Sequence, residues 1–416
     1  CCNLQKIILS GMAIPLDDSS DRLILSKLIK QKIASSPCDR ITFAEFMDLA
    51  LYHPQYGYYA TNRAKIGTEG DFFTAPHLGA AFGELLAEQF VQMWEIMQQP
   101  NSFTLVEIGA GQGLLASDIL RYLQRKYPQF YQALDYVIVE RAATLIAEQQ
   151  WQLRDLKETG ISLHWKTWDQ IPSDSIAGCF FSNELIDALP IHQVVIESGQ
   201  LREIYVANSQ SDRDSISFIE AVGELSTPQL SAYFDLINIR LPSRQYPDGY
   251  RSEINLAALD WMQTVADRLR QGYVLTIDYG YTGDRYYNPA RSQGTLQCYY
   301  RHAHHSDPYK NVGQQDITAH VNFTALERQG ECCGLQTIGF THQGLFLMAL
   351  GIGERIAAVS QSTTTNSNEI QKLLQQRQAL HLLIDPLGLG NFGVLIQGKQ
   401  VNTQVLLHGL QGELLG

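Results

Sequence analysis

A short apolar run, Thr104 to Ile108, passes directly into Glu107-Ile108-Gly109-Ala110-Gly111-Gln112-Gly113, and Leu114 to Lys126 beyond it carries apolar residues at helical spacing. Glycine reaches backbone angles closed to other residues and lets the main chain press against a ligand. The helix that follows leaves its first N–H groups without intrahelical partners. A strand turning through alternate glycines into a helix therefore places the chain in the α/β class, with a ligand site at the strand tip.

The neighbouring sequence keeps that alternation. Strands are expected at Tyr136–Val139, Ser162–Trp168, Ala177–Phe181 and Tyr273–Asp278, and helices near Ala142–Leu153 and Ala257–Arg270. A helix at Phe323–Cys332, a helical stretch over 344–358, a helix over 369–383 and a last strand at Phe392–Ile396 follow. Short apolar runs alternating with helices read as a mostly parallel sheet with helices on both faces. Two segments depart from it. Before residue 100 the chain reads as helices, Ile41–Leu51 with a possible Thr42/Glu45 capping box and Ala80–Met97, separated by a glycine-marked loop at Gly67–Pro76. Between residues 191 and 250, Val194–Ile196 and Glu203–Val206 read as a hairpin with a polar insert at Ser209–Ser215, and 280–315 reads as a long turn-rich loop. At 416 residues one large α/β domain with an appended lobe is expected. The predicted divisions are a helical lobe over 1–100, a Rossmann-like core over 101–200, a hairpin insertion over 201–250 and the rest of the core over 251–416, its substrate-side loop at 280–322.

The glycine spacing separates candidate ligands. A dinucleotide fingerprint needs G-x-G-x-x-G/A, but Leu114 stands at the third small position and Gly113 falls one residue early. Glu107, two residues before the first glycine, would repel a pyrophosphate and suits a ligand carrying an ammonium and a sulfonium. Glu140, closing the second strand, is placed to hold ribose hydroxyls. S-adenosylmethionine is favoured, with Glu107, Gly109, Gly111, Gly113 and Glu140 as its contacts, and a nicotinamide oxidoreductase is the disfavoured alternative.

Composition narrows the rest. Thirty-one basic against 43 acidic side chains give a net charge of −12, against a general nucleic-acid binder. Seven cysteines, with no C-x-x-C, suit neither a disulfide framework nor a zinc site. The run His302-x-His304-His305-x-Asp307 lacks a second ligand cluster, so no metal is expected. No apolar run approaches the ~20 residues of a bilayer span. Residues 1–11, before Met12, are set aside from the fold argument, and the lack of signal or transit features gives an expectation of a cytoplasmic, bacterial-type setting. Oligomeric state is not legible.

Several motifs in order are specific to one family. They are Phe43-x-x-Phe46-Met47, Tyr52-x-Pro54-x-x-Gly57-Tyr58-Tyr59, Gly70-Asp71-Phe72-x-Thr74-Ala75-Pro76 and Phe82-Gly83-Glu84, then the glycine loop and Ser182-Asn183-Glu184-x-x-Asp187-Ala188-Leu189-Pro190-Ile191-His192-Gln193. Ile277-Asp278-Tyr279-Gly280, Gly294-Thr295-Leu296, Asp307-Pro308 and Gly313-x-x-Asp316-Ile317-Thr318-Ala319-His320-Val321 complete them. Over residues 24–350 the chain resembles the MidA family, whose mitochondrial members are protein arginine methyltransferases needed for complex I assembly. The resemblance implies a class I methyltransferase fold and transfer to a protein arginine, with a complex I-type subunit as partner. It departs at Ala110, Gln112 and Leu114, where the family commonly has G-P-G-R-G-T, and at Asn322, where it usually has aspartate.

Transfer from a sulfonium is an in-line displacement, so the protein mainly positions the reacting groups. Guanidinium is a poor nucleophile because it stays protonated and delocalised. A carboxylate pair can grip its fork and stabilise charge building on one nitrogen. Glu184 is expected to hold the guanidinium, Asp187 to support it or the loop, and Asn183 to hold a substrate or backbone amide. His320 is the candidate acceptor of the released proton. Thr74, Glu84 and Asp71 in the N-terminal lobe are expected to close over the cofactor's amino-acid end, and Tyr56-Tyr58-Tyr59 with Tyr299-Tyr300 to line a cation-binding groove. A different acceptor nitrogen, an oxygen, a small molecule, or a non-catalytic assembly factor on the same fold remain alternatives.

Overall fold

The computed structural model describes residues 18–61, 74–209, 217–301, 303–361 and 366–415. Its centre is a seven-stranded sheet: β1 (Phe103–Ile108), β2 (Leu134–Val139), β3 (Ser162–Lys166), β4 (Ile176–Asn183), β5 (Leu269–Asp278), β6 (Gln336–His342) and β7 (Gly393–Lys399). The spatial order is β3-β2-β1-β4-β5-β7-β6. The five from β3 to β5 are parallel, and β7 runs antiparallel to both its neighbours. The strand order reverses between β1 and β4, and ligands of open α/β sheets sit outside the carboxyl ends at such a point. Register brings those ends level, with Glu107 opposite Phe181 and Asn183 opposite Ile277.

Every residue of β1 is buried, as a strand covered on both faces must be. Helices α1 (Asp18–Ala34), α2 (Phe43–Tyr52), α3 (Ala81–Ile96) and α4 (Leu114–Lys126) account for the first part of the chain. Helix α4 starts at the last glycine and buries Leu115, Ile119, Leu120 and Leu123. The boundary expected near residue 100 does not follow the packing. Phe82, Leu85, Leu86 and Phe90 of α3 share one core with Phe103 and Leu105 of β1. Helices α1 and α2 belong elsewhere: Leu25, Ile29, Phe43, Phe46 and Met47 pack with Ile191, Val206 and Cys298.

That second core lies on an antiparallel five-stranded sheet built from Arg40–Thr42, His192–Glu197, Gln200–Asn208, Phe218–Gly223 and Arg251–Ile254. The lobe is thus assembled from distant segments and begins before residue 201. Ile41 is extended rather than helical because Arg40–Thr42 adds an edge to this sheet. Helix α2 starts at Phe43, where the predicted capping box forms: Thr42 Oγ1 accepts from Glu45 N at 3.1 Å and Glu45 Oε2 from Thr42 N at 3.0 Å.

The 280–315 segment is not all loop. Gln297–Tyr300, Ala303–His305 and Asp316–Thr318 make a three-stranded ribbon. The expected helical stretch over 344–358 is two helices, Gln343–Ala349 and Ile352–Gln361, broken where Gly351 takes φ +96°. Strand β6 was not anticipated; it is a partly exposed edge in which Gln336, Thr337, Thr341 and His342 interrupt the apolar residues. Of the predicted features, residues 1–11, most of the Gly67–Pro76 loop including Asp71, most of the Ser209–Ser215 insert, and His302 lie outside the described residues. No described helix is long and apolar enough to cross a membrane.

Because the box fixes the start of α2, Thr42→Ala is expected to lower stability by about 1 kcal/mol without altering ligand affinity more than about twofold. Urea unfolding and calorimetric titration would check both.

Candidate active site

The three loop glycines all adopt left-handed backbone, with φ of +72°, +52° and +79° at Gly109, Gly111 and Gly113. At Gly109 a Cβ would lie 2.7 Å from the terminal Cδ1 of Leu185, which would have to shift, and the left-handed backbone disfavours a side chain there in any case. The loop is pinned from behind: buried Gln149 donates to Gly111 O at 2.8 Å and accepts from Trp165 Nε1 at 2.9 Å.

Two cavities flank this loop. The larger, about 580 Å³, runs from Gly109, Gly111, Glu140 and Trp168 to Tyr52, Tyr59, Tyr299 and Asp316. The smaller, about 90 Å³, is lined by Glu107, Ala110, Gln112 and Asn183. Thr74, Gly109, Gly111 and Glu184 border both. They are two compartments meeting over the glycine loop.

Carboxyl groups dominate the lining. Glu107, at the end of β1, is buried and accepts from the Tyr136 hydroxyl at 2.7 Å. Burial pushes its pKa up to about 7, Tyr136 opposing and Glu140 reinforcing the rise. Glu140 turns back on the chain, accepting from the N–H groups of Arg141 and Ala142 at 2.7 and 3.0 Å, while burial raises its pKa. Glu184 has φ +54°, uncommon for a residue with a side chain. Its carboxyl accepts from Asn183 Nδ2 at 3.0 Å. Burial, then the charge of Asp187, pushes its pKa up to about 8. Asp187 is also raised by burial, and its Oδ1 is buried with no hydrogen-bond partner.

Among the sequence candidates, Glu107, Gly109, Gly111, Glu140, Thr74, Asn183, Glu184, Asp187 and His320 border one or both compartments. Two do not. Glu84 faces away and pairs with Arg125, at 2.9 Å, and with Arg355, because its position on α3 points it along α4. Gly113 is the N-cap of α4 and faces Gln149. His320 borders the larger compartment between Tyr281, stacked at 4.9 Å, and Tyr279. Burial and then Arg291 lower its pKa to about 4, so it is a neutral, weakly basic ring near pH 7 and does not suit proton acceptance. Thr74 Oγ1 contacts His77 Nδ1 at 2.7 Å, His77 contacts Gln112 at 3.2 Å, and Gln112 reaches Glu148 at 2.9 Å. The departure at Gln112 thus closes a polar strap across the glycine loop.

Asn322 caps the helix Phe323–Cys332 through a 3.3 Å bond from Ala325 N and donates to Tyr233 at 3.0 Å, which places it outside both compartments. Tyr58, Tyr59 and Tyr299 line the larger compartment, whereas Tyr56 stacks on His53. Sequence reasoning assigned no site role to Tyr52, Gln149, Trp261 or Phe392. Asp278 was noted only within a motif. Its Oδ2 accepts from the N–H groups of Leu185, Ile186 and Asp187 at 3.1, 2.9 and 3.3 Å. An acidic residue ending a buried strand was the available signal.

The residues fit a zwitterionic, sulfonium-bearing ligand. Acidic Glu107 lines the small compartment and acidic Glu140 the large one, which suits an ammonium in the first and ribose hydroxyls in the second. A seven-stranded sheet in this order with this cleft defines a class I, Rossmann-like methyltransferase that uses S-adenosylmethionine. Residues 85–341 match the family described as "Putative S-adenosyl-L-methionine-dependent methyltransferase", and the chain belongs to it. It is similar to the Drosophila melanogaster "Protein arginine methyltransferase NDUFAF7 homolog, mitochondrial", 28% identical over 88% of this chain and 82% of that protein. The human "Protein arginine methyltransferase NDUFAF7, mitochondrial" is 28% identical over 87% and 81%. A Burkholderia thailandensis crystal structure bound to S-adenosyl-homocysteine shares 29% identity and covers 95% of this chain and 96% of that one, with a TM-score of 0.81. The MidA-family resemblance therefore holds. The cytoplasmic expectation does not: these curated relatives are named as mitochondrial, and the absence of a readable targeting feature was too weak a ground for it.

Two outcomes are expected. Gly111→Arg or Glu140→Ala abolishes calorimetric binding of S-adenosyl-homocysteine. The second concerns pH. Because folding raises the Glu184 pKa from 4.5 to about 8, the folded chain holds a proton that the unfolded chain releases, and this group's contribution falls as pH rises between those values. Glu184→Gln should therefore gain stability relative to the parent from pH 5 to 8, by at most ~1.4 kcal/mol per pH unit. Urea unfolding of both proteins across that range is the check; a constant difference would contradict it.

Proposed function

We propose that this methyltransferase acts on an arginine side chain of a protein, held by Glu184. The observation that carries the reading is the position of Glu184: a half-buried carboxyl in left-handed backbone at the junction of the two compartments. The names of the curated relatives support it.

The cofactor, when bound, supplies an electrophilic methyl group on its sulfonium. The chain supplies the rest. A guanidinium entering the larger compartment meets Glu184, whose carboxylate accepts two parallel N–H bonds and leaves one nitrogen facing the donor. The cation favours ionisation of Glu184 against burial and the charge of Asp187. The acceptor nitrogen would take the methyl group and give up its proton to the Glu184 carboxylate, a base strengthened by burial, while the electron pair of the carbon–sulfur bond would stay with the cofactor. The carboxylate stabilises the charge accumulating on the guanidinium. Asp187, with an unpartnered oxygen in the same cavity, supports the pair, and Asn183 holds Glu184 in place. Tyr52 ties the lobe to this loop through a 2.9 Å bond to Ala188 O.

The acceptor protein to test first is a respiratory complex I-type subunit, the partner class implied by the MidA resemblance. Incubating the chain with labelled S-adenosylmethionine and such subunits should yield methylarginine by mass spectrometry. Glu184→Gln should bind S-adenosyl-homocysteine within about threefold of the parent yet lose turnover by on the order of 100-fold. Full turnover in Glu184→Gln would remove it from the acceptor site, and methylation confined to another residue type would overturn the arginine reading.

A further inference from the structure

The far end of the larger compartment is built differently from the end at Glu184. Tyr52 comes from the last turn of α2 and Tyr59 from the turn after it, with their rings stacked at 5.4 Å. Asp316 comes from the ribbon, where it pairs across strands with Tyr299. Asp187 comes from the loop after β4, whose carbonyl accepts from Ala319 N at 2.9 Å. Three segments distant in sequence, at residues 52–59, 187 and 299–316, thus converge on one wall.

Both acids here are nearly inaccessible, Asp316 at 4% and Asp187 at 6% exposure, yet both border the cavity. Tyr59 donates to Asp316 Oδ2 at 2.8 Å, and Ile317 N donates to Oδ1 at 2.9 Å. These bonds hold the carboxylate in place at the cavity wall. Asp187 Oδ1, by contrast, is buried and makes no close hydrogen bond, although the Tyr279 hydroxyl faces the carboxyl and holds its pKa down. Leaving a buried acceptor unmatched is costly, and a ligand donor reaching this wall would relieve the cost. The charges of both acids reach Tyr52, Tyr59 and Tyr299, whose hydroxyl pKa values are raised by burial first and by these acids next. Tyrosine faces add attraction for a cation. Apart from His320, Arg141 is the sole basic residue lining the cavity among the described residues. It already sits over Tyr52 at 4.6 Å, beside Asp48 at 3.5 Å, and its side chain is 64% exposed, so it lies at the rim.

We infer that Asp316, set by Tyr59 and facing the same cavity as Asp187, is a specificity-determining residue that selects a positively charged acceptor side chain over a neutral one of the same shape. The inference rests on the arginine reading but uses a different residue: Glu184 borders both compartments, while Asp316 borders only the larger. A neutral urea group has the guanidinium outline but gains nothing from the two carboxylates, and its oxygen would face them.

The test is calorimetric titration of the full chain, saturated with S-adenosyl-homocysteine, with Nα-acetyl-arginine amide and with Nα-acetyl-citrulline amide. The parent should prefer the arginine compound by at least about tenfold. Asp316→Asn should lose most of that preference while keeping its S-adenosyl-homocysteine affinity within about twofold. If Asp316→Asn does not bind S-adenosyl-homocysteine, Tyr59→Phe takes its place, and its preference should fall severalfold. An undiminished preference in the variant read overturns the inference. If preference is undiminished there but vanishes in Glu184→Gln, the arginine reading stands without it. No preference in the parent overturns both.

Discussion

The carboxylate of Asp278 organises the site. It sits at the tip of β5 with no solvent exposure and gathers the N–H groups of Leu185, Ile186, Asp187 and Tyr279. A charge in that position is unfavourable on its own; burial, then Asp187 and Glu184, push its pKa up, and the backbone donors hold it down. The chain after β4 is thereby forced into a tight turn in which Glu184 is left-handed and Asp187 faces the cavity. Asn255 adds a 3.1 Å bond to Ile186 O. A loop held from several sides can maintain a strained residue, and strain of this kind persists where the surroundings over-determine it.

The cleft depends equally on two cores meeting. The parallel sheet supplies Gly109, Glu140 and Glu184 at its carboxyl edge, whereas the antiparallel lobe and ribbon supply Tyr52, Tyr59, Tyr299 and Asp316. Directional bonds connect them: Tyr52 donates to Ala188 O and Ala319 N to Asp187 O. Both link the lobe to the loop governed by Asp278, so positioning of donor and acceptor sides converges on one segment.

The excess of acids in this cavity has a physical consequence. Glu107, Glu140, Glu184 and Asp187 all carry pKa values raised chiefly by burial. Such groups ionise more readily when a cation arrives, so a site of this composition favours positively charged ligands on both sides of the glycine loop and releases protons as they bind.

The sequence by itself determined the parallel core and the donor side. Glycine spacing, apolar strands and helix caps act through near neighbours in the chain, so Leu114–Lys126 and Phe323–Cys332 fall at the predicted residues, and Glu107, Gly109, Gly111 and Glu140 border the expected cleft. The motif resemblance extended this to Asn183, Glu184 and Asp187. Only the tertiary structure decided which of the remaining candidates face the cavity. Glu84 turns away because α3 and α4 pack side by side, Gly113 because it caps α4 against Gln149, and His320 loses basicity through burial between two tyrosines. The Tyr59–Asp316 pair joins residues 257 positions apart. No local pattern encodes such a contact, because it exists only once the turn after α2 and the distant ribbon pack into one core.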